Sequence, residues 1–500
     1  MIELQFDMHI KHLGDGYDIF NLFRYLIDDL EPRYYFLLES VDEFSTEPLF
    51  SFICLEPNYI LKINDGHKTE EILTEQGTQI LDDLNSLELR DKGDRIFDDR
   101  SDYKIEALDI LSQHFPSNTS SFPEIFPRRV MCGGYLGYLG YDIVAPVVGF
   151  KSTAKTPDIM MGMHTKVLIY NHKTQALFLI DNSFNKYEPD LKLENSIRKF
   201  KEKHKYQKFS NLEDTYPEID FDVDEFPSNI AQSKFSDMIE KTKDYILEGD
   251  IFQAVISRKV SVPSYGDDLS IYGALRKLNP SPYMYYLNFE EFRIIGSSPE
   301  ALVTNDQNTI YTVPIAGTRR RGKTPNDEIR MENELINDPK EIAEHLMLVD
   351  LARNDLAKIS LPGTVHPTNF MKIRKYRNVM HIVTNLQSKM QHGLTSFDLV
   401  KSMFPAGTVS GAPKLRAMEI IQEVEVDNRG AYAGAVGYFS LNGDCDLAIT
   451  IRSLYLLNKT VTAQAGGGIV ADSDPRLEWI ETKNKLRSLL TAVKMAEVLQ

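Results

Sequence analysis

Short apolar runs separated by turn residues recur along most of the chain. In the first part they occupy residues 34–38, 166–170 and 176–180. In the second part they occupy residues 292–295, 432–440, 448–456 and 461–465. Runs of this length predict β-strands, and the longer patterns between them have helical spacing. The fold class is therefore predicted as mixed α/β (α+β), with antiparallel sheets and helices between the strands.

The clearest helical pattern covers residues 338–353. Pro339 suits the first position of a helix, and the apolar residues after it follow amphipathic spacing. Glu341 and Glu344 are three residues apart, so both carboxylates are expected on one face of this helix.

Residues 476–485 repeat this arrangement with Glu478 and Glu481. Like charges one turn apart repel each other, so each pair needs a compensating cation or solvent. Two converging pairs would supply the hard oxygen ligands that suit Mg²⁺. Spacing alone favours the alternative of two exposed helical faces screened by water and lysines.

A dense mixture of charged and small polar residues fills residues 186–232. That composition predicts a solvated connection between two halves of the chain. The domain organisation is accordingly predicted as a first region 1–185, a polar connecting segment 186–232 and a second region 233–500.

Charge limits the partners. The chain has 500 residues, of which 73 are acidic and 56 basic, and its net charge of -17 would repel a nucleic-acid backbone. Nucleic acid is therefore not expected as a partner. We also expect no membrane insertion, because no apolar stretch is long enough to span a bilayer and residues 1–30 do not resemble a signal peptide. These features predict a cytoplasmic protein.

The cysteines Cys54, Cys132 and Cys445 are far apart and have no C-x-x-C spacing. This pattern favours buried apolar thiols over a disulfide framework or a zinc site. None of the three lies on the tight Gly-rich turn that a glutaminase nucleophile needs. If the protein uses glutamine, another chain must hydrolyse it.

In glycine-rich segments, a neighbouring strand or a ligand can come close to the backbone because there is no side chain. Residues 133–142 alternate Gly and Tyr, which predicts a strand and matches no phosphate-binding loop. Residues 466–468 are three glycines after a predicted strand, expected as a turn whose backbone N–H groups can approach an anion, and residues 314–322 are expected as another tight turn. Arg452, at the end of an apolar strand, suits bidentate binding of a carboxylate.

The order of motifs resembles that of the chorismate-utilising enzymes throughout residues 230–495. The matching segments are 249–258, 279–284, 296–300, 314–318, 344–355, 379–381, 407–414, 451–453, 466–475 and 476–485. The resemblance implies two roughly orthogonal antiparallel sheets flanked by helices. It also implies a tryptophan-site sheet in residues 1–185 and a chorismate-binding catalytic region in residues 233–500.

Two positions indicate the branch of this family. Gln253 stands where the water-using isochorismate and salicylate synthases carry a Lys, and Ala316 stands where the aminodeoxychorismate synthases carry a Lys. Neither residue can take over the role of that Lys. The chain is thus similar to the anthranilate-forming branch, which implies amination of chorismate at C2, loss of the C4 hydroxyl and elimination of pyruvate, as the first step from chorismate to tryptophan.

The same resemblance implies the site residues. Glu344 and Glu481 correspond to Mg²⁺ ligands, with Glu341 and Glu478 as nearby or water-mediated partners. The substrate contacts would be Gly317, Thr318, Tyr432, Arg452, Gly466, Gly467 and Gly468. The catalytic candidates are Glu300 as general acid, His381 as the base that removes the C2 proton, and Thr408. A hydrogen-bonded core residue is the alternative for His381.

A regulatory site and partners are also implied. Ser40, Pro282, Tyr283 and Met284 resemble the feedback site at which L-tryptophan inhibits the family, although residues 37–40 also fit a plain buried strand end. A separate glutamine amidotransferase subunit would deliver ammonia, which makes a hetero-oligomer the expected assembly. The alternatives are an aminodeoxychorismate or isochorismate synthase, an enzyme that stops at aminodeoxyisochorismate, and a non-catalytic sensor of chorismate or tryptophan.

Overall fold

The structure, a computed structural model, describes most of the chain. The described residues are 2–41, 48–90, 105–118, 125–126, 130–154, 156–184, 189–204, 219–264, 266–376 and 379–498. Within these ranges no helix combines the length and the apolar character needed to cross a lipid bilayer.

Eleven α-helices lie within the described ranges. They are α1 (Ile19–Leu30), α2 (Glu75–Arg90), α3 (Glu106–Gln113), α4 (Leu191–Lys203), α5 (Gln232–Leu247), α6 (Asp268–Leu278), α7 (Pro325–Ile336), α8 (Pro339–Ala357), α9 (Ser396–Met403), α10 (Lys414–Val424) and α11 (Pro475–Val498). Short 3₁₀ helices occupy Tyr141–Val148, Val223–Glu225 and Gly407–Val409. The predicted helix at 338–353 is confirmed: Asp338 caps α8 by accepting from the backbone N–H groups of Lys340 and Glu341, and Pro339 is its first residue.

The described ranges contain twenty-four strands. They are β1 (Ile2–Glu3), β2 (Asp7–Asp15), β3 (Tyr35–Val41), β4 (Pro48–Leu55), β5 (Tyr59–Asn64), β6 (His67–Ile72), β7 (Pro116–Ser117), β8 (Gly134–Leu139), β9 (Ile159–His164), β10 (Lys166–Asn171), β11 (Ala176–Ser183), β12 (Gln253–Pro263), β13 (Tyr283–Phe289), β14 (Phe292–Ser298), β15 (Ala301–Asp306), β16 (Thr309–Thr312), β17 (Ile315–Arg320), β18 (His366–Lys375), β19 (Val379–Lys389), β20 (Gly411–Ala412), β21 (Ala435–Ser440), β22 (Cys445–Ile449), β23 (Ser453–Leu457) and β24 (Thr460–Ile469). The Gly/Tyr segment forms β8, as predicted.

Two eleven-stranded sheets organise the molecule. The first has the order β2-β11-β10-β4-β3-β13-β14-β23-β24-β12-β20. The second has the order β17-β19-β16-β15-β22-β21-β8-β9-β5-β6, with β18 on the other side of β19. Every pairing within these sheets for which a register is defined is antiparallel. The predicted fold class is confirmed.

Both sheets combine strands from both sides of the predicted connection at 186–232. In the first sheet β3 pairs with β13, and in the second β8 pairs with β21. Part of the connection is not a solvated linker, because residues 191–203 form α4 and bury Leu193, Ile197 and Phe200 against the first sheet.

The core lies in three layers, and strand alternation explains them. Phe36 and Leu37 are neighbours on β3, so their side chains leave opposite faces of the first sheet. Phe36 packs between the two sheets with Tyr138 of β8, whereas Leu37 packs against α1 residues such as Leu26. Helices α2, α3, α8 and α9 cover the far face of the second sheet. The three cysteines are buried as predicted.

The predicted strand at 448–456 is wrong in one respect, because it is two strands in different sheets. β22 belongs to the second sheet and β23 to the first. Arg452 lies between them with a φ of 51°, a left-handed conformation that turns the chain from one sheet to the other.

Candidate active site

One cavity of about 690 Å³ collects most of the predicted site residues. Its walls come from β12, β17, β19, β24, α8 and α11, with loop residues from 299–300, 408–409, 432 and 451–452. Of the predicted catalytic, substrate and metal residues, those that line it are Glu300, Gly317, Thr318, Glu344, His381, Thr408, Tyr432, Arg452, Gly466, Gly468 and Glu481. Gly467 lies beside it in β24, and the predicted tryptophan residues lie elsewhere.

The two acidic pairs converge on this cavity from different helices. Glu341 and Glu344 lie on α8, and Glu478 and Glu481 lie on α11. Burial, followed by the charges of Glu341 and Glu481, raises the pKa of Glu344 above its ordinary value. The alternative of two separate exposed helical faces is therefore excluded for these pairs.

Cations compensate the acidic groups unevenly. Arg319 donates to Glu341 at 2.7 Å, and Lys485 donates to Glu481 at 2.6 Å. Glu344 forms no ion pair within the described part of the chain, and Oε2 of Glu478 is buried without a hydrogen-bond partner. Positive charge is thus still missing at the centre of the acidic cluster.

The carboxylates fit a magnesium ion that is shared with a ligand. Within the described residues, no three His, Cys, Asp or Glu side chains gather into a metal site of their own. Mg²⁺ commonly takes one or two protein carboxylates and fills its shell with water and substrate oxygens. The partnerless Oε2 of Glu478 and the unpaired Glu344 supply oxygens of this kind.

The three glycines at 466–468 do not form the predicted turn. They are the end of β24 and pair with residues 255–257 of β12. A Cβ at Gly467 would lie 2.6 Å from Oε2 of Glu478, and one at Gly468 would lie 2.0 Å from Nε2 of Gln253. A larger residue at either position would have to displace the end of a side chain from α11 or β12.

Gly317 likewise lies in a strand. It is part of β17, where the register with β19 shifts between Ala316 and Arg319, and its φ is +67°. A bulge of this kind needs a residue that tolerates positive φ. It also turns the backbone carbonyl of Gly317 towards His381.

Arg452 offers the cavity a cationic side chain without a partner. Its guanidinium makes no hydrogen bond or ion pair with the described residues, and burial lowers its pKa. Tyr432 stands beside it, fully buried, and burial raises its pKa to about 12. A buried guanidinium without a carboxylate partner is suited to an anionic ligand.

Glu300 carries a proton at neutral pH. Its carboxyl is buried, and burial raises its pKa to about 8. Thr408 lies next to it and weakly opposes this shift, while its own Oγ1 is buried and makes no hydrogen bond of normal geometry. A protonated carboxylic acid facing a cavity can serve as a general acid.

His381 is held in one tautomer. Its Nδ1 lies 2.7 Å from the carbonyl oxygen of Gly317 and 3.1 Å from Oγ1 of Thr318. Since a carbonyl only accepts, Nδ1 carries the proton and Nε2 keeps a lone pair. Burial lowers the pKa of His381 to about 4, so the ring is neutral near pH 7.

Sequence reasoning missed the contacts of two cations and the position of one unpaired acceptor in the cavity wall. Lys485 bridges Glu481 and the carbonyl of Gly466, and its position four residues after Glu481 was the available signal. Arg319 joins Glu341 to Asp338 and was visible only as one of three consecutive arginines. The Oε1 atom of Gln253 is buried in the cavity wall without a partner.

The predicted tryptophan residues meet at the β3–β13 pair. Ser40 lies opposite Tyr283, and the carbonyl of Pro282 accepts from the backbone N–H of Val41 at 3.0 Å. The Ser40 hydroxyl is hydrogen-bonded to the backbone of Phe50. Tyr283 also lines a separate pocket of about 340 Å³ between the sheets.

Next to Ser40, Glu39 is buried in a complete polar cluster. Its carboxylate accepts two hydrogen bonds from Arg276, at 2.6 and 2.8 Å, and one from Tyr272 at 2.6 Å. The ion pair with Arg276 lowers the pKa of Glu39, although burial acts against it.

Solved structures share this architecture. The menaquinone-specific isochorismate synthase of Escherichia coli aligns with a TM-score of 0.65 at 17% identity, covering 98% of this chain and 95% of that one. Anthranilate synthase component I of Streptococcus pneumoniae TIGR4 aligns with a TM-score of 0.69 at 32% identity, covering 88% and 92%. The fold is therefore that of proteins that act in chorismate chemistry.

Sequence comparison identifies the family. A family model described as chorismate binding enzyme matches residues 69–491. Anthranilate synthase component 1 of Aquifex aeolicus is 35% identical over 98% of this chain and 97% of its own length, and that of Methanothermobacter marburgensis is 37% identical over 95% and 93%. The chain belongs to the chorismate binding enzyme family.

Proposed function

We propose that this chain is the chorismate-converting large subunit of an anthranilate synthase. The observation that carries the proposal is the single cavity in which two acidic pairs face the unpaired guanidinium of Arg452. Such a cavity suits a small dicarboxylate whose one carboxylate binds through a cation and the other through Arg452. Chorismate has these two carboxylates, and full-length relatives bear the name anthranilate synthase component 1.

Magnesium is part of this proposal. Glu344 and Glu481 would hold the ion, with Glu341 and Glu478 close by. When bound, Mg²⁺ neutralises the ring carboxylate of chorismate and orients the ring. Arg452 would bind the carboxylate of the enolpyruvyl group, and the Gly466 and Gly468 backbone would form the wall beside the ring. Gly317, Thr318 and Tyr432 complete the wall.

Glu300 would act in the first step. Ammonia adds to C2 of chorismate, both conjugated ring double bonds shift towards C4, and the C4–O bond breaks. The protonated carboxyl of Glu300 donates its proton to the departing hydroxyl, which leaves as water, and the new ammonium group loses a proton. Thr408 lies next to this carboxyl and would help to orient it.

His381 would act in the second step. Its Nε2 lone pair takes the proton from C2, the ring becomes aromatic, and the C–O bond to the enolpyruvyl group breaks. Pyruvate leaves after its methylene carbon takes up a proton. The carbonyl of Gly317 fixes the tautomer that this role needs.

Ammonia supply and regulation complete the proposal. A separate glutamine amidotransferase would provide ammonia in a hetero-oligomer, because none of the three cysteines is placed as a glutaminase nucleophile. L-Tryptophan would inhibit the enzyme by binding near Ser40 and the 282–284 segment, shifting the protein towards a state with lower affinity for chorismate. We also propose a cytoplasmic location.

The test measures two products together. Purified protein is mixed with chorismate, Mg²⁺ and ammonium at mildly alkaline pH, and anthranilate fluorescence and pyruvate are followed at once. We expect equal amounts of both products, and at least about a hundredfold slower formation by Glu344→Gln.

The matched control is Glu334→Gln, an exposed glutamate of α7 paired with Arg330. It makes the same chemical change at a residue that does not line the cavity, and we expect wild-type rates from it. Chorismate consumption without pyruvate, or no consumption at all, would contradict the proposed reaction.

A further inference from the structure

A buried arginine behind the cavity belongs to none of the roles above. Arg429 follows α10, and its side chain is almost completely buried. Its Nε and Nη2 atoms donate to the carboxylate of Glu425 at 2.9 and 2.8 Å. Although burial acts against the charge, Glu425 raises the pKa of Arg429, so the guanidinium stays charged.

The other side of the guanidinium connects two walls of the cavity. Nη1 donates to the carbonyl of Val409 at 2.6 Å, and Nη2 donates to the carbonyl of Val255 at 2.6 Å. Val409 follows Thr408, and Val255 lies two residues after Gln253 on β12. Both valines line the cavity themselves. One planar group therefore sets the spacing between the Thr408 loop and β12.

The same arginine contacts the Tyr432 loop. Its guanidinium carbon lies 5.7 Å from the centre of the Tyr432 ring and 4.5 Å from that of Tyr141. Its carbonyl accepts from the backbone N–H of Tyr432 at 3.3 Å. A cation over aromatic faces adds attraction that depends on this geometry.

Glu425 extends the connection to the glycine strand. Its Oε1 accepts from both the backbone N–H and the hydroxyl of Ser257 at 2.7 Å. Ser257 lies opposite Gly466 in the β12–β24 pair, and its hydroxyl accepts from Gln464 at 2.9 Å. Gln464 is a further residue of the cavity wall.

A buried ion pair is a weak source of stability, because desolvation cancels much of the attraction. Only a guanidinium can donate to a carboxylate and to two separate carbonyls in one plane. We propose that the Arg429–Glu425 pair positions the cavity walls for chorismate, by fixing the Thr408 loop, β12 and Tyr432 relative to one another. This inference rests on the proposed function.

The experiment compares three variants that weaken the network to different degrees. Arg429→Lys keeps the charge but cannot reach both carbonyls, Glu425→Gln removes the ion pair with little change of shape, and Ser257→Ala removes one hydroxyl. We measure kcat, KM for chorismate and the melting temperature, together with calorimetric Mg²⁺ affinity in the absence of chorismate.

A positioning role predicts a graded loss at temperatures where each variant is folded. We expect kcat/KM to fall about tenfold to a hundredfold in Arg429→Lys, less in Glu425→Gln and about twofold to threefold in Ser257→Ala, mostly through KM. The Mg²⁺ affinity should stay at the wild-type value, because the carboxylates lie on α8 and α11. If Arg429→Lys fails to fold, the inference is tested by the other two variants: Glu425→Gln should lose more kcat/KM than Ser257→Ala.

The matched control is Arg293→Lys, which weakens the Arg293–Asp268 ion pair of 2.7 Å away from the cavity. It should lower the melting temperature and leave kcat and KM within twofold. Folded network variants with wild-type kinetics would overturn the inference. A wild-type protein without turnover would contradict the proposed function instead, and calorimetric chorismate affinity would then show whether Arg429→Lys disturbs the cavity.

Discussion

In the first sheet, the buried carboxylate of Glu39 is fully partnered by Arg276 and Tyr272. In the cavity, polar groups of similar burial have been left without partners. Oε1 of Gln253, Oγ1 of Thr408 and Oε2 of Glu478 are buried and form no hydrogen bond.

The presence or absence of hydrogen-bond partners distinguishes polar groups that belong to the fold from polar groups that are available to a ligand. A buried polar atom without a partner costs free energy, so it is rare unless something else satisfies it. The cluster at Glu39 satisfies its own polar groups, whereas the unsatisfied groups of the cavity are available to the ligand proposed above.

Removing the cavity acid tests this contrast most strongly. Glu300→Gln should lower kcat about a thousandfold, because an amide cannot donate the proton that the leaving hydroxyl needs. In the wild type, activity should fall as the pH rises through about 8, where Glu300 loses its proton. A pH profile of kcat for both proteins checks this, and an unchanged alkaline limb in the variant would contradict the role.

The same group predicts a pH-dependent stability. The pKa of Glu300 is about 8 in the folded state and about 4.5 when unfolded, so the wild type loses stability between these values as the pH rises. Glu300→Gln should therefore be relatively more stable at pH 9 than at pH 4. Urea unfolding of both proteins at the two pH values measures the difference.

Removing a partner from the Glu39 cluster should lower stability instead of activity. Arg276→Met leaves the buried Glu39 without its ion pair, with only the hydrogen bond from Tyr272, and we expect a loss of about 3 kcal/mol in the free energy of unfolding. The loss stays at the low end of the usual range because 33% of the Arg276 side chain is exposed. Denaturant unfolding measures it, and a stability equal to that of the wild type would show that Glu39 finds another partner.

Arg452→Met should lower activity while leaving stability unchanged or increased. The variant removes a buried cation that has no protein partner, so the melting temperature should stay the same or rise. The value of kcat/KM for chorismate should fall about a hundredfold, since a charged hydrogen bond to a carboxylate is lost. A clear loss of stability in this variant would indicate that Arg452 has a structural role.

The smallest effect is expected from a substitution among the three glycines of β24. Gly467→Ala places a Cβ 2.6 Å from Oε2 of Glu478, the end of a side chain that can move. We expect about a tenfold loss of kcat/KM with little loss of stability. Gly443→Ala serves as the reference, because its Cβ would meet no atom within 4 Å, although its positive φ adds strain.

Local patterns predicted much of this structure. The Asp338-Pro339 start of α8, the carboxylates three residues apart and the Gly/Tyr strand all depend on neighbours in sequence. The break at Arg452 was missed because the apolar pattern continues across it while the chain changes sheets. The glycines at 466–468 fit a turn on local sequence alone, whereas the side chains that crowd them in β24, Gln253 and Glu478, come from other segments of the chain.

The cavity itself could be predicted only through the resemblance to a family. Its walls combine segments from residue 253 to residue 489, and spacing within any one segment carries no information about the others. Helix α4 was missed for a related reason: its charged residues dominate the composition, whereas its three buried apolar residues follow helical spacing.

The interleaved sheets constrain how the chain matures during synthesis. Strand β8 is complete at residue 139, yet its partner β21 begins at residue 435, about 300 residues later. At roughly 5–20 residues per second, the ribosome needs about 15–60 s to supply it. During that interval the nascent chain exposes an unpaired apolar strand edge, which is a template for aggregation. We therefore expect the emerging N-terminal half to need chaperone protection until β21 has been synthesised.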